Sequence, residues 1–191
     1  MGRKDVKKER LTRQQQKERN RQLVRYLTPL LWAFVSWFVL ITIIHLPFIK
    51  ESVREWFVSF TTYSAYYFGK LFFIPIQMHG VPYLSVKGFM MQVVMECTAY
   101  NFYLFAIVLT LFARWPMKHK LISTAIFLVF IFVFNNLRFI SMGYVGSVRP
   151  DLFDLIHDTV WNVLFGFMVF GIWVWREISA QKMLKTEEVR P

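Results

Sequence analysis

The stretch LISTAIFLVFIFVFNNLR, residues 121–138, carries the strongest structural signal in this chain. It is almost wholly apolar until it reaches Asn135 and Asn136, and it ends on Arg138. As an α-helix, residues 121–137 would be roughly 26 Å long, close to the hydrocarbon thickness of a bilayer. We therefore predict a transmembrane helix over this range, with a cluster of polar side chains at its C-terminal end.

Three further apolar stretches of similar length occur in the 191 residues. They cover residues 29–46, 98–113 and 160–175, and the last lies in a long helix that we expect to begin at Pro150, since proline is favoured in a first turn. Between this helix and the preceding span we expect a Gly- and Ser-containing loop at residues 141–149. The chain is 55% hydrophobic and 19% aromatic, too apolar for a soluble domain of this size. These features predict an all-α integral membrane protein with about four transmembrane helices.

Residues 51–96 differ from the spans and predict a small extracytoplasmic element. The run Trp56–Gly69 is apolar but only 14 residues long, which favours an interfacial or re-entrant helix over a membrane span. After it come the short pieces IPIQM, PYLSV and FMMQVVME, separated by glycine and proline. Short apolar pieces between turn residues are typical of strands, so we predict a β-hairpin or a small meander.

The charge of the chain is distributed unevenly, and this distribution predicts its orientation. The formal net charge is +11, and residues 1–28 hold ten of the 23 Lys and Arg residues. With four spans, this arm, the 114–120 loop and the C-terminal tail share one side of the membrane and hold 17 of the 23. Lys and Arg concentrate on the cytoplasmic side, so we expect both termini in the cytoplasm. This orientation requires that residues 51–76 do not cross the membrane.

The same pattern divides the chain into three parts and limits its partners. We expect a basic cytoplasmic arm at residues 1–26, a single polytopic domain in the cell membrane at 27–176 and a cytoplasmic tail at 177–191. A basic arm beside a span favours a topology signal or contact with anionic lipids over nucleic-acid binding. One cysteine and four scattered histidines lack the spacing of metal ligands, so we expect no metal and no cofactor.

Three reactive side chains lie at one predicted depth. Each lies at one end of an apolar stretch that has a basic residue at its other end. The separation is 17 residues from Cys97 to Arg114, 18 from Lys120 to Arg138, and 19 from His157 to Arg176. At about 1.5 Å per residue, these separations are roughly 25 to 29 Å, one hydrocarbon thickness. With the basic ends on the cytoplasmic side, the thiol, guanidinium and imidazole share the extracytoplasmic face.

A thiol, a guanidinium and an imidazole at one depth can form a cysteine acyl-transfer site. Cys97 would be the nucleophile, at a helix start that favours the thiolate, and Arg138 would face a developing oxyanion. His157 would act as general acid and base, with its ring oriented by Asp154 or Asp158. Each of the three alone also fits a structural role, as a buried thiol, an arginine reaching lipid headgroups or an interfacial histidine. The complementary set on three helices favours the enzyme.

These motifs, taken in order, resemble those of a known family. The C-T-A at 97–99, the N-N-L-R at 135–138 and His157 before the last span are similar to motifs of the exosortase/archaeosortase family of integral membrane cysteine enzymes. The resemblance covers about residues 84–175. It implies Cys97 as nucleophile, Arg138 and His157 as its catalytic partners and Asn135 as the asparagine of the motif. Many family members have more spans, so this chain looks like a compact member.

The resemblance implies a transpeptidase or protease that sorts exported proteins. Its substrates would be membrane-anchored proteins whose C-terminal signal combines a short motif, an apolar span and a basic tail. Cleavage would pass through a cysteine acyl-enzyme, followed by transfer to a lipid or cell-surface acceptor. Two alternatives stay open, a membrane cysteine protease without transfer and a non-enzymatic scaffold or assembly protein.

Overall fold

The computed structural model describes residues 3–188, which form helices and one small sheet. The helices are α1 (Arg3–Ile44), α2 (Pro47–Leu71), α3 (Tyr100–Phe112), α4 (Met117–Val148), α5 (Phe153–Leu155) and α6 (Trp161–Glu188). The strands β1 (Ile76–Met78), β2 (Tyr83–Val86) and β3 (Phe89–Gln92) lie between α2 and α3 in sequence. The predicted class, an all-α membrane fold with a small β element, is confirmed.

Three helical segments of the described chain are long and apolar enough to cross a membrane: Leu27–Ile44, Met117–Val148 and Pro150–Met183. The fourth predicted span, at 98–113, corresponds to α3, an apolar helix of 13 residues and so roughly 20 Å long. The count of about four spans therefore fits approximately, with α3 shorter than expected. α1 and α6 continue without a break through the expected limits of the membrane domain at residues 27 and 176.

The loop predicted at 141–149 is wrong, because α4 continues to Val148. Gly143 and Gly146 lie three residues apart on one face of α4, and the sheet packs against them. A Cβ atom at Gly143 would collide with Val86, and one at Gly146 would collide with the ring of Phe89. These glycines therefore permit close packing of a helix on a sheet, where the sequence suggested a turn.

α2 extends beyond the predicted run Trp56–Gly69 to 25 residues, and it packs against α4. Phe60 and Phe68, about 12 Å apart along the helix, both contact the ring of Phe132 on α4. α2 is not among the three span candidates in residues 3–188. The interfacial or re-entrant placement of this helix stays a prediction.

The predicted meander is confirmed as an antiparallel sheet in the order β1-β2-β3. Ile76 pairs with Val86, and Val86 pairs with Phe89 across the sheet. Ile76, Leu84 and Val86 are almost completely buried, at 1%, 0% and 0% exposure. The apolar face of the sheet thus covers the C-terminal half of α4 and forms one wall of the cavity described below.

At the other end of α4, a polar network joins the basic ends of the helices. The Arg176 guanidinium donates to Ser123 Oγ at 2.9 Å and to His119 Nδ1 at 3.0 Å. His119 Nε2 donates to the carbonyl of Arg176 at 3.0 Å, and Lys120 Nζ donates to the carbonyl of Leu111 at 2.6 Å. The end of α3 and the middle of α6 therefore meet the start of α4, which leaves Cys97, Arg138 and His157 towards the opposite end of the bundle.

Candidate active site

Cys97 lies in a 3-10 turn that precedes α3, whereas the sequence placed it at the helix start itself. The turn covers Met95–Thr98, and Ala99 follows it in the left-handed region with φ 55° before α3 begins at Tyr100. The Cys97 amide donates to the carbonyl of Val94 at 2.9 Å, and the side chain is only 5% exposed. The thiol is thus held by a tight turn beyond the N-terminal end of α3.

Arg138 projects from the middle of α4 and is almost completely buried, with 3% exposure. Asn135 and Asn136 one turn earlier are buried to 5% and 2% exposure. Asn136 Nδ2 donates to the carbonyl of Phe132, but the side-chain oxygens of both asparagines and Nε of Arg138 lack a partner among the described residues. Unpaired buried polar groups are costly, and these three lie within about one turn of α4.

His157 sits in a π-helical turn, Ile156–Val160, between α5 and α6. Such turns are uncommon and often occur at functional sites, because they displace a side chain from the regular helical register. Nδ1 of His157 lies 2.6 Å from Oδ1 of the exposed Asp158. The carboxylate accepts, so Nδ1 carries the proton and Nε2 presents its lone pair to the site.

Two groups approach that lone pair. Sγ of Cys97 lies 3.1 Å from Nε2 of His157, and Nη2 of Arg138 lies 2.9 Å from the same nitrogen. Nη2 also lies 3.4 Å from the carbonyl oxygen of His157. A thiol next to an unprotonated imidazole nitrogen that a carboxylate orients is the arrangement needed to transfer the thiol proton and generate a nucleophile.

Three of these groups, Cys97, Arg138 and His157, line a cavity of about 300 Å³. The rest of its wall comes from Phe89, Met90, Met91, Gln92, Val94, Phe139, Met142, Phe153 and Asp154. The ring of Phe153 stacks on the ring of His157 with centroids 5.8 Å apart and planes at 7°. The site is therefore a small cavity whose wall is mostly apolar.

The structure brings together most of the side chains singled out in the sequence. Cys97, Arg138, His157 and Asp158 form one connected set of contacts. Of the two candidate carboxylates, Asp158 binds the imidazole, and Asp154 lies on the wall of the cavity. Asn135 is buried one helical turn from Arg138 and does not line the cavity. In residues 3–188 no group of three or more candidate metal ligands occurs.

Two parts of the site were missed in the sequence. Phe153 precedes His157 by four residues, and this spacing on one helical face was the available signal. β3 was expected only as part of a meander, and nothing in its sequence indicates that it borders the thiol. That position follows from the packing of the sheet on Gly143 and Gly146.

Comparison with known protein families gives a match to the model of transmembrane exosortases over residues 21–174. The match covers most of the chain. The chain belongs to the transmembrane exosortase family. Comparison with curated proteins and with solved structures gives no match.

Membership of the exosortase family makes the chain a membrane protein of a protein-sorting enzyme family. The matched range begins at residue 21, so it also includes α2 and the first span, whereas the motifs in the sequence indicated only about residues 84–175. The exosortase similarity thus includes every element that lines the cavity. α2 and the part of α1 from residue 21 onward therefore lie within the matched range.

Proposed function

We propose that this exosortase family member is a cysteine transpeptidase that cleaves the C-terminal sorting signal of exported proteins. The observation that carries the proposal is the 3.1 Å approach of Cys97 Sγ to Nε2 of His157, two residues that line the same cavity. The Asp158 carboxylate on Nδ1 and the Arg138 guanidinium complete a set in which each group has a chemical task.

The first half-reaction forms a thioester. Nε2 of His157 takes the proton of the Cys97 thiol, and Sγ attacks the carbonyl carbon of the scissile peptide bond. The resulting oxyanion lies within reach of the Arg138 guanidinium, which lines the cavity. The C–N bond then breaks, and the amine of the C-terminal fragment leaves with the proton held on Nε2.

The second half-reaction releases the sorted protein. An acceptor amine loses its proton to Nε2 of His157 and attacks the thioester carbon, and the thiolate leaves. The proton on Nε2 then returns to the thiolate of Cys97. Asp158 favours the imidazolium that forms each time Nε2 takes up a proton, because its carboxylate accepts the hydrogen bond from Nδ1. Attack by water instead of an amine would give hydrolysis without transfer.

We place the site at the extracytoplasmic face of the cell membrane, with both termini in the cytoplasm. The support is the distribution of charge, because the residues gathered at the end of the bundle away from the cavity include Arg176 and Lys120. A substrate with an apolar span and a basic cytoplasmic tail would then present the residues before its span at the level of Cys97. The basic arm would contact anionic lipids of the inner leaflet.

The test is the processing of a reporter that carries a C-terminal motif, apolar span and basic tail from an exported protein of the same genome. Cys97→Ala and Cys97→Ser should both abolish processing while the chain accumulates in the membrane as before. Mass analysis of the new reporter C-terminus then separates transfer, which leaves an attached group, from hydrolysis. Normal processing by a well-inserted Cys97→Ala variant would overturn the proposal and favour a scaffold.

A further inference from the structure

One edge of the small sheet is open beside the cavity. β2 lies in the middle and bonds to its two neighbours through alternate residues. The Val93 amide donates to the carbonyl of Pro82 at 2.8 Å, which sets the register of the ladder between β2 and β3. Since ladder bonds recur at every second pair, Met91 and Phe89 also bond to β2. The main-chain groups of Met90 and Gln92 therefore point away from the sheet.

This open edge leads to the thiol. Every residue of β3 lines the cavity, and so do Val94 and Cys97 beyond it. The carbonyl of Val94 accepts the bond from the Cys97 amide, so the free edge ends where the 3-10 turn begins. Phe153 and His157 form the facing wall, and Phe153 meets Phe89 with ring centroids 5.4 Å apart. The cavity is thus a groove with a strand edge on one side and the imidazole on the other.

The side chains of this edge do not block strand pairing. Natural edge strands are kept short, or they carry a lysine, a proline, a bulge or an inward charge that prevents another chain from adding to them. β3 is short, with four residues, but its sequence FMMQ contains no lysine, proline or charge. Met90 is 57% exposed, whereas Met91 is buried with 6% exposure, so side chains alternate between the two faces as in a regular strand. An edge of this kind beside the thiol can pair with a short extended segment.

We propose that the substrate segment at the scissile bond binds in extended form as a fourth strand on β3. Its main chain exchanges hydrogen bonds with the N–H and C=O groups of Met90 and Gln92, and this carries its scissile carbonyl to Sγ of Cys97. The inference rests on the proposed function and adds the mode of substrate recognition. Main-chain pairing tolerates varied side chains, so selectivity falls to the few residues whose side chains enter the cavity.

Proline substitutions test the pairing directly. Gln92→Pro removes an N–H that faces the groove and leaves the ladder to β2 intact, since edge strands accept proline where the N–H points outward. Processing of the reporter should fall by at least about tenfold, the effect of losing a main-chain hydrogen bond and its partner. Gln92→Ala keeps the N–H and should reduce processing less than Gln92→Pro does.

A matched control lies on the other edge of the sheet. The His79 amide donates to the carbonyl of Tyr83, so the ladder between β1 and β2 uses His79 and Gln77, and the N–H of Met78 points outward. Met78→Pro therefore removes an outward N–H away from the cavity, but it also removes a side chain that packs against the buried cluster containing Cys97, so Met78→Ala is its reference. Met78→Pro and Met78→Ala should process the reporter equally. If Met78→Pro lost as much relative to Met78→Ala as Gln92→Pro loses relative to Gln92→Ala, the cause would be damage to the sheet, and the proposal would be overturned.

Cross-linking gives a readout that does not depend on activity. Cys97 is the single cysteine of the chain, so Gln92→Cys in a Cys97→Ala background carries one thiol. Single cysteines moved along the reporter segment should form disulfides with it at every second position, the period of a strand. A helical period, or no cross-link at any position, would contradict strand addition, and so would cross-links between two copies of the chain in place of the reporter.

The results separate this inference from the function it rests on. If Cys97→Ala is inactive while Gln92→Pro processes normally, the transpeptidase stands and strand addition on β3 is wrong. If Cys97→Ala processes normally, the proposed function is wrong, and strand addition of the substrate on β3 is wrong as well. Loss of processing in both variants, together with cross-links of period two, supports both.

Discussion

Sγ of Cys97 lies 3.1 Å from Nε2 of His157, although 60 positions separate the two residues in the chain. Neither residue sits in a regular α-helix. The cysteine is held by a 3-10 turn before α3 and the histidine by a π turn before α6. Two irregular turns at the same end of the helical bundle therefore create the contact. The helices that follow them, α3 and α6, determine how deep in the membrane it lies.

Asp158→Asn should lower reactivity through the tautomer of His157. An amide can present its N–H to Nδ1, which would move the imidazole proton to Nε2 and remove the base from the thiol. Because Asp158 is exposed, we expect a loss of about 10- to 100-fold in processing and in alkylation of Cys97 by iodoacetamide. Asp154→Asn, which leaves the bond to the ring in place, is the comparison. Equal effects of the two variants would contradict the assignment.

Arg138→Lys should inactivate the enzyme although it keeps the charge. The guanidinium reaches Nε2 and the carbonyl oxygen of His157 with its terminal Nη2, and the ammonium of the shorter lysine side chain would stop short of both and offer no second nitrogen to the oxyanion. We expect at least about a 100-fold loss of processing. Arg149→Lys alters an exposed arginine paired with Asp151 and should retain activity. An active Arg138→Lys enzyme would reduce the role of Arg138 to that of a buried cation.

Asn135→Leu separates function from stability. The side-chain oxygen of Asn135 is buried without a partner among the described residues, so its removal should not lower the melting temperature of the purified protein in detergent. Processing should fall if the amide serves the reaction, as the family motif implies. A variant that melts earlier and processes normally would show that Asn135 is only structural.

Gly143→Ala should destabilise the packing of the sheet on α4. The added methyl group would meet the β-branched side chain of Val86 next to its backbone, where little adjustment is possible. Overpacking of this kind costs about 1–3 kcal/mol, which thermal unfolding in detergent can measure. Gly166→Ala is the matched control, since no atom outside its own helix lies within 4 Å of the added carbon. The control should be neutral or slightly stabilising.

Much of the fold could be predicted because the bilayer imposes it. The long apolar stretches, the meander between residues 76 and 92 and the helix that begins near Pro150 follow from length, hydropathy and turn residues. The continuation of α4 through residues 141–148 could not be predicted from local sequence. Gly143 and Gly146 signal a turn by type, and only contact with Val86 and Phe89 explains their place in a helix.

For the site, sequence spacing predicted a common depth but not the contacts. Counting from Arg114, Lys120 and Arg176 placed the three reactive side chains at one level. It left open which carboxylate orients the ring, because Asp154 shares the helical face of His157 three residues earlier and Asp158 is its direct neighbour in sequence. The π turn resolves this, since it changes the direction of each side chain between residues 156 and 160.

That π turn also makes the direction of the His157 side chain independent of the packing of α6. In a plain α-helix each residue is rotated by about 100° from the last, so the faces of α6 that pack in the bundle would dictate the direction of His157. The π turn contains more residues than an α-helical turn, so it changes the rotation between His157 and the residues of α6 that follow. The direction of the imidazole is therefore set independently of the faces of α6 that pack in the bundle. Deleting Thr159 should restore ordinary helical phase, leave α6 packed as before, and swing the imidazole away from the thiol.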